Sequence, residues 1–343
     1  MELAIEPVKG KVLIIWRLPL FFMGIVVLII PIYARLGDGR LDFASQTLES
    51  IVRQKTGLRI LPIVVDDGSE ENVDDFLNEF MKSHKGFEVR YLKRERASFD
   101  LKSSSAPINF GFNHLLDKGY YMLGRGQNDG VVAVGYLHSD DGLTTTSVQE
   151  RFDLLAKTGG GFVYTPMAYF RSSEIIGIRR GNFGTEPHSI LYNLARCSRQ
   201  FNTDMIWFNN HTVLLELGFL GKVREYSKRM LGQNGCFDEN MTYVEDLDFS
   251  TRAVKTAMEQ RALIGYLDRT SVLYRVHGTS ITGEGNFEEK IYYRKIYHQN
   301  HFAQEDYPFS ISQNNFPHTS KWSASEHRRL SIELNMHFNH KIY

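Results

Sequence analysis

Cysteine is scarce in this chain: 343 residues contain two, Cys197 and Cys236. Two thiols cannot build the multi-bridge framework of a small secreted domain, and a reducing compartment is the default for such a composition. No Cys/His spacing of the kind that holds zinc occurs. Net charge is missing as well, because 40 basic residues cancel 40 acidic ones. Without a basic excess the chain has no means of steering onto nucleic acid, so no nucleic-acid partner is expected. No repeat period is visible, which excludes a solenoid or propeller.

An uninterrupted membrane span is also lacking. Residues 12–33 are almost wholly apolar and long enough to cross a bilayer, but Arg17, Pro19 and Pro31 break the run. Its second half, residues 24–31, also reads as a strand buried on both faces. The remainder is then too short to span. Residues 11–23 carry cationic flanks (Lys9, Lys11, Arg17) and large apolar groups (Trp16, Phe21, Phe22). That pattern suits contact with a membrane surface, and equally a strand or strap packed on the protein. A cytoplasmic location, with a peripheral hold on the cytoplasmic membrane face, is the expectation.

What is present is a core and two Asp-Asp pairs. The apolar fraction of 42% suffices for a sizeable core, and the length suits one large catalytic domain with extensions or two smaller domains. Asp66-Asp67 closes the apolar run 60–65, and Asp140-Asp141 follows the run 131–139. Both runs are rich in β-branched residues and lead into turn residues, so both read as buried strands. Further strands are expected at 24–32, 87–92 and 161–165. Helices are expected at 43–55, along the stripe Ile108, Phe112, Leu115 and Leu116, and after Ser69. In the last of these Val73, Phe76, Leu77, Phe80 and Met81 form an apolar stripe, with Ser69 as the cap. Strands alternating with helices predict an α/β fold, Rossmann-like, with a mostly parallel sheet. The alternation weakens after Thr165. Residues 171–201 read as a polar excursion over the surface, with order returning at 205–217 and 245–258. The composition shifts again from residue 284, where helices near 287–298 and 324–334 form a C-terminal extension. The expected organisation is therefore an N-terminal segment 1–23, a catalytic domain 24–283 divided near residue 145 into nucleotide-binding and acceptor halves, and an extension 284–343.

Ligands of open α/β sheets collect at the carboxyl ends of strands. Paired carboxylates there point to a hydroxyl-rich ligand, a hard cation, or both. Asp67 can accept from a nucleobase N–H or ribose hydroxyls, although an Asx-type turn before a helix accounts for the same residues. Asp140 and Asp141 repel each other unless a cation or hydroxyls compensate, and oxygen donors suit Mg²⁺ or Mn²⁺. Glu245-Asp246 stands before a helical stripe, where Asp246 reads either as an N-cap or as a general base held ionised by the helix dipole. His277 could add a nitrogen ligand, which favours Mn²⁺. The glycines of residues 124–130 imitate a dinucleotide fingerprint. They precede a strand instead of following one, so the segment reads as a loop.

Taken in order, these pieces resemble the family-2 glycosyltransferases of the GT-A fold. The matching segments are Ile29-Ile-Pro-Ile-Tyr33, Thr47-Leu-Glu-Ser-Ile51 with Gln54, Val64-Val-Asp-Asp-Gly-Ser69, Pro107-Ile-Asn-Phe-Gly111, Ser139-Asp-Asp141, Gly235-Cys-Phe-Asp-Glu239, Glu245-Asp-Leu-Asp-Phe-Ser-Thr-Arg252 and Arg275-Val-His277. The resemblance implies a donor site for a UDP- or GDP-linked sugar. Pro31, Tyr33 and Asp67 would line the base pocket, with Asp67 on the base edge. Asp140 would face ribose or the sugar, and Glu245 would join the donor-binding residues. Asp141, with His277, would hold Mn²⁺ or Mg²⁺ on the diphosphate. Asp246 would deprotonate the hydroxyl of a glycan or lipid-linked acceptor in one inverting displacement.

Three departures stand out. Ala34 replaces a polar residue, Pro107-Ile-Asn109 replaces the usual Arg-Asn, and the Gln-x-x-Arg-Trp signature of processive synthases is absent, which argues for transfer of one or a few sugars. A sugar-phosphate nucleotidyltransferase has a similar sheet but needs a Gly-rich cationic loop after the first strand, and residues 35–40 imitate one only faintly. A degenerate domain acting as a scaffold would not need all three acidic elements.

Overall fold

A computed structural model of the protein describes residues 2–8, 11–17, 24–96, 103–118, 130–180, 184–199, 212–277, 287–302 and 323–338. The first two strands, β1 (Glu2–Val8) and β2 (Lys11–Arg17), pair antiparallel as a separate two-stranded sheet. Among the described residues no helix is long and apolar enough to cross a membrane.

The central element is β3 (Ile25–Ile32), buried along its whole length. Successive side chains of a strand point to opposite faces, so an all-apolar strand feeds two cores at once. Ile25, Val27 and Ile29 join one core with Ile108 and Phe112. Val26, Leu28 and Ile30 join the other with Ala44, Leu48, Ile51 and Val148. The first pair of helical residues lies on α3 (Ser105–Lys118), the remaining four on α1 (Arg40–Val52) and α4 (Ser147–Thr158). Helices therefore cover both faces, as the sequence predicts.

Beside β3 run β4 (Arg59–Asp66) and β6 (Val131–Tyr136), both parallel to it, with β5 (Arg90–Lys93) parallel to β4 at the edge. The sheet continues from β6 through β11 (Leu214–Glu216) and β8 (Phe162–Tyr164) to β12 (Ile264–Tyr266), giving the order β12-β8-β11-β6-β3-β4-β5. Strand β11 is antiparallel to both its neighbours, and the other pairings are parallel. The fold is thus a mixed α/β architecture around a large, mostly parallel sheet.

Two local expectations are corrected. Ser69 does not cap the following helix: α2 (Val73–Ser83) starts later, and the Asn72 side chain accepts from the backbone of Asp75. Ser69 Oγ instead accepts from the backbone N–H of Ala34 at 2.9 Å, tying the loop after β3 to the loop after β4. Residues 171–201 are not a surface excursion. Their described part closes β9 (Met167–Arg171) and supplies β10 (Glu174–Arg179), antiparallel to it, and α5 (Pro187–Arg199). The polar average of this stretch hides buried residues: Ile175 and Ile178 on β10, Ile190 and Leu194 on the helix.

These two strands belong to a second sheet of order β10-β9-β13-β7, with β13 (Val272–Arg275) parallel to β9 and antiparallel to β7 (Gly142–Leu143). After β11 follow α6 (Leu217–Leu231) and α7 (Glu245–Gln260). The C-terminal helices α8 (Phe287–Phe302) and α9 (Ala324–Phe338) are present where they are expected, each somewhat longer. Helix α8 docks on α7 through His301 Nε2 and Asp248 Oδ1, 2.6 Å apart, and through the hydroxyls of Thr251 and Tyr297. Helix α9 lies on the second sheet, where Leu330, Leu334 and Phe338 share a core with Phe170, Ile178 and Leu273. Residues 124–129 of the glycine loop, most of the 205–217 stretch and all of residues 18–23 fall outside the described residues.

Candidate active site

Strand β6 ends at Tyr136, and the turn after it delivers Asp140 and Asp141 against the end of β13. The backbone N–H of Arg275 donates to Asp141 Oδ1 at 2.9 Å. Asp141 Oδ2 is buried and has no hydrogen-bond partner among the described residues. Asp140 Oδ2 lies 2.8 Å from His277 Nε2. The Arg275 guanidinium completes the cluster, with Nε donating to the carbonyl of Asp140 at 2.9 Å and Nη2 to Gln46 Oε1 at 2.6 Å. Thr47 Oγ1 donates to the carbonyl of Asp141 at 2.6 Å.

The two carboxyls are pushed in opposite directions. Burial raises the Asp141 carboxyl well above the usual carboxylate range, the Asp140 charge raises it further, and Arg275 opposes both only in part. Burial acts on Asp140 in the same sense. The His277 hydrogen bond and the charges of His138 and His277 outweigh it and hold that carboxyl below its ordinary value. Asp140 is thus the ionised member. Asp141 is the one that keeps a proton or needs a cation beside it.

A second cluster forms at the ends of β3 and β4. Pro31 pairs in register with Val65, and the backbone N–H of Asp67 donates to the carbonyl of Ile32. Asp67 is buried between two arginines: Arg94 is hydrogen-bonded to Oδ1, and Arg96 Nε lies 3.9 Å from Oδ2. The Arg96 guanidinium also stands 4.7 Å from the centre of the Tyr33 ring, with Arg35 5.6 Å from it. Tyr33 and Asp67 are therefore joined through Arg96. Asp66 is structural: it accepts from the Ser69 N–H and the Tyr91 hydroxyl, both at 2.8 Å.

The third acidic element opens α7. Asp246 is not the N-cap. That position belongs to Val244, in the left-handed region at φ 61°, and Asp246 lies in the first helical turn with Oδ1 accepting from the N–H of Leu247 at 2.8 Å. The Asp246 charge reaches the β6 end, where it acts with Asp140 on His138, whose imidazole burial holds below its usual value. It also acts, with Asp141, on the Tyr169 hydroxyl, which burial raises. Glu245 is half-buried, and its carboxyl is pushed up to about 8 by burial and by Asp246 and Asp248. The loop leading to this helix is fastened to α3 by Asn109. Its Oδ1 accepts from the N–H groups of Cys236 and Phe237 at 2.8 and 2.9 Å, and its Nδ2 donates to the carbonyl of Phe237 and to Glu239 Oε1.

Asp140, Asp141 and His277 are thus brought into one cluster, with Asp246 within electrostatic reach, while Pro31, Tyr33 and Asp67 form the second. Glu245 sits beside Asp246. Sequence reasoning missed Arg94, Arg96, Asn109 and Arg275 as parts of the site. Asn109 and Arg275 both stand inside segments it singled out, whereas nothing in the spacing marked the two arginines that follow β5.

A mostly parallel sheet flanked by helices, with carboxylates at its strand ends and an acidic helix start, is the arrangement of the GT-A fold. Residues 27–105 match the family model described as glycosyl transferase family 2. The match ends before Asp140-Asp141, Asp246 and His277. In structure the chain is similar to S. aureus TarS. Against TarS 1-349 in complex with UDP-GlcNAc the TM-score is 0.52 at 14% identity, covering 93% of this chain and 74% of that one. Against the longer S. aureus TarS structure the TM-score is 0.50 at 15% identity, covering 93% of this chain and 44% of that one. A more distant likeness is to the mannosyltransferase PcManGT from Pyrobaculum calidifontis in complex with GDP-Man and Mn²⁺, at a TM-score of 0.44 and 13% identity over 75% of this chain and 58% of that one. No curated protein matches the chain in sequence.

Proposed function

We propose that the protein moves a sugar from a UDP- or GDP-linked donor to a hydroxyl of a glycan or lipid-linked acceptor, with inversion and with the help of a divalent cation. The observation that carries the reading is the Oδ2 of Asp141, buried and without a partner among the described residues, beside the ionised carboxylate of Asp140. An orphaned buried carboxylate oxygen is costly unless an ion or ligand satisfies it. Among the described residues no group of three His, Cys, Asp or Glu side chains forms a ready-made cage. The donor set therefore fits a cation that takes one or two carboxylates from the protein and its remaining oxygens from a diphosphate and water, the habit of Mg²⁺ and a role open to Mn²⁺. Asp141 would hold it, with Asp140 and His277 adjacent. Such a cation, when bound, offsets the charge that builds on the departing diphosphate.

The chain's own groups account for the rest. Pro31, Tyr33 and Asp67 receive the base. Asp140 faces ribose or sugar hydroxyls. Glu245 keeps its proton at neutral pH and can donate to a sugar oxygen. Asp246 accepts the acceptor's hydroxyl proton as that oxygen bonds to the anomeric carbon, and the bond from that carbon to the diphosphate breaks with its electron pair leaving on the nucleotide. A single displacement inverts the anomeric configuration. Supplying UDP- and GDP-sugars with Mn²⁺ and reading the product by proton NMR tests this. Inverted configuration with release of nucleoside diphosphate is expected, and retention, or release of pyrophosphate, would overturn it.

For the acceptor we place residues 11–23 at a membrane surface. Flotation of the full chain with anionic liposomes should exceed that of a chain beginning at Gly24, and equal flotation would remove the idea.

A further inference from the structure

The C-terminal helix α9 reaches the Asp140–Asp141 turn through one side chain. The Arg275 guanidinium, buried, lies between three rings: its central carbon is 4.5 Å from the centre of Phe43, 4.7 Å from Phe170 and 4.8 Å from Phe338. The three rings come from α1, β9 and α9. Phe338 also packs on Phe170 at 4.6 Å between centroids and covers Gly142, where an added Cβ would stand 2.4 Å from its Cζ. Only a residue without a side chain lets the ring approach the backbone so closely just after Asp141.

Helix α9 is itself fixed to the same region. Glu333 accepts from the N–H and hydroxyl of Thr145 at 3.0 and 2.8 Å, Glu326 accepts from the Thr270 hydroxyl at 3.0 Å and pairs with Arg180, and Arg329 donates to the carbonyl of Thr270 at 3.0 Å. A planar guanidinium stacked on aromatic faces has little freedom left, and its Nε and Nη2 donors are already committed to the Asp140 carbonyl and Gln46.

We propose that Arg275 is a positioning residue for the Asp140–Asp141 pair, and that Phe338 of α9 locks it in place, so that the C-terminal extension is part of the donor site. The link to donor binding rests on the function proposed above, whereas the mechanical coupling does not.

Two measurements on the full chain separate these. Amide hydrogen exchange needs no ligand. In Phe338→Ala, protection of the backbone over 139–144 and 272–277 should fall about tenfold or more, with 25–32 of β3 unchanged. Unchanged protection at 139–144 would overturn the coupling. Uniform loss across the chain would also overturn it, because Phe338 would then hold the whole fold and not this turn. Phe338→Leu keeps apolar volume but removes the ring face, and Arg275→Lys keeps charge but loses the planar fork. Both should weaken Mn²⁺-dependent UDP or GDP binding about tenfold in calorimetry, and Phe338→Tyr should restore it. Reduced protection at 139–144 with wild-type nucleotide affinity would refute the donor-site role. If the wild-type chain bound neither nucleotide, the donor role would fall together with the proposed function, and the exchange result would decide the coupling alone.

Discussion

The Arg275 N–H donates to Asp141 Oδ1 at 2.9 Å, and Oδ2 of the same carboxylate is buried without a partner among the described residues. One oxygen of the carboxylate is used to orient it. Asn at this position keeps the oriented oxygen and removes the charge. Asp141→Asn should therefore leave the metal-free protein as stable as wild type or slightly more stable at pH 8, since a buried carboxyl no longer has to ionise. It should abolish the rise in Tm that Mn²⁺ gives in the presence of UDP or GDP. A retained Mn²⁺ response in thermal melts would remove Asp141 from the metal site.

Asp246 sits in the first turn of α7, where the helix dipole favours its charge. Asp246→Asn should lower kcat by about 10²–10⁴-fold, the usual contribution of a general base, with donor affinity changed by less than about twofold. Steady-state kinetics beside calorimetry checks this, and turnover within tenfold of wild type would pass the base role to another group.

Glu245 gives a pH prediction. Its carboxyl is raised to about 8 in the folded chain, against an ordinary value near 4.5. Between those values the folded state holds a proton that the unfolded state has lost, so stability falls as pH rises from about 4.5 to 8. Glu245→Gln removes this term. Denaturation midpoints at pH 5 and pH 8 should differ less in the variant, which gains on the order of 2 kcal/mol at pH 8 relative to wild type after allowing for partial exposure. An unchanged pH slope would show that Glu245 ionises freely.

Asn109 supplies acceptors to two buried N–H groups of the loop before α7. Asn109→Ala leaves both unsatisfied and should cost about 2–4 kcal/mol in urea denaturation. Gly235→Ala should be nearly as damaging, because its Cβ would meet Asn109 Nδ2 at 2.3 Å. A loss below about 1 kcal/mol for both would mean that the loop is held by other contacts.

Much of the sheet was legible because β3, β4 and β6 are continuous apolar runs, and burial on both faces permits little else. The stripe of α2 was legible from helical spacing, but its cap was not: Ser69 and Asn72 are both good caps, and the choice depends on Ala34, which lies thirty-five residues before Ser69 and holds the serine hydroxyl. The second sheet was hidden because its strands are short: β7 has two residues, and β10 begins and ends on charged ones, Glu174 and Arg179. Asp140 and His277 could be named from sequence, yet their contact crosses 137 positions. Arg94 and Arg96 carry no local pattern, and only the fold brings them to Asp67.

A cation-assisted nucleotide site at Asp140–Asp141 stands or falls on calorimetric titration of UDP and GDP into the full chain with and without Mn²⁺. Binding of at least one nucleotide, strengthened about tenfold or more by Mn²⁺ in wild type and not in Asp141→Asn, is the predicted result. No binding of either nucleotide under either condition, or an affinity indifferent to both Mn²⁺ and Asp141, would contradict it.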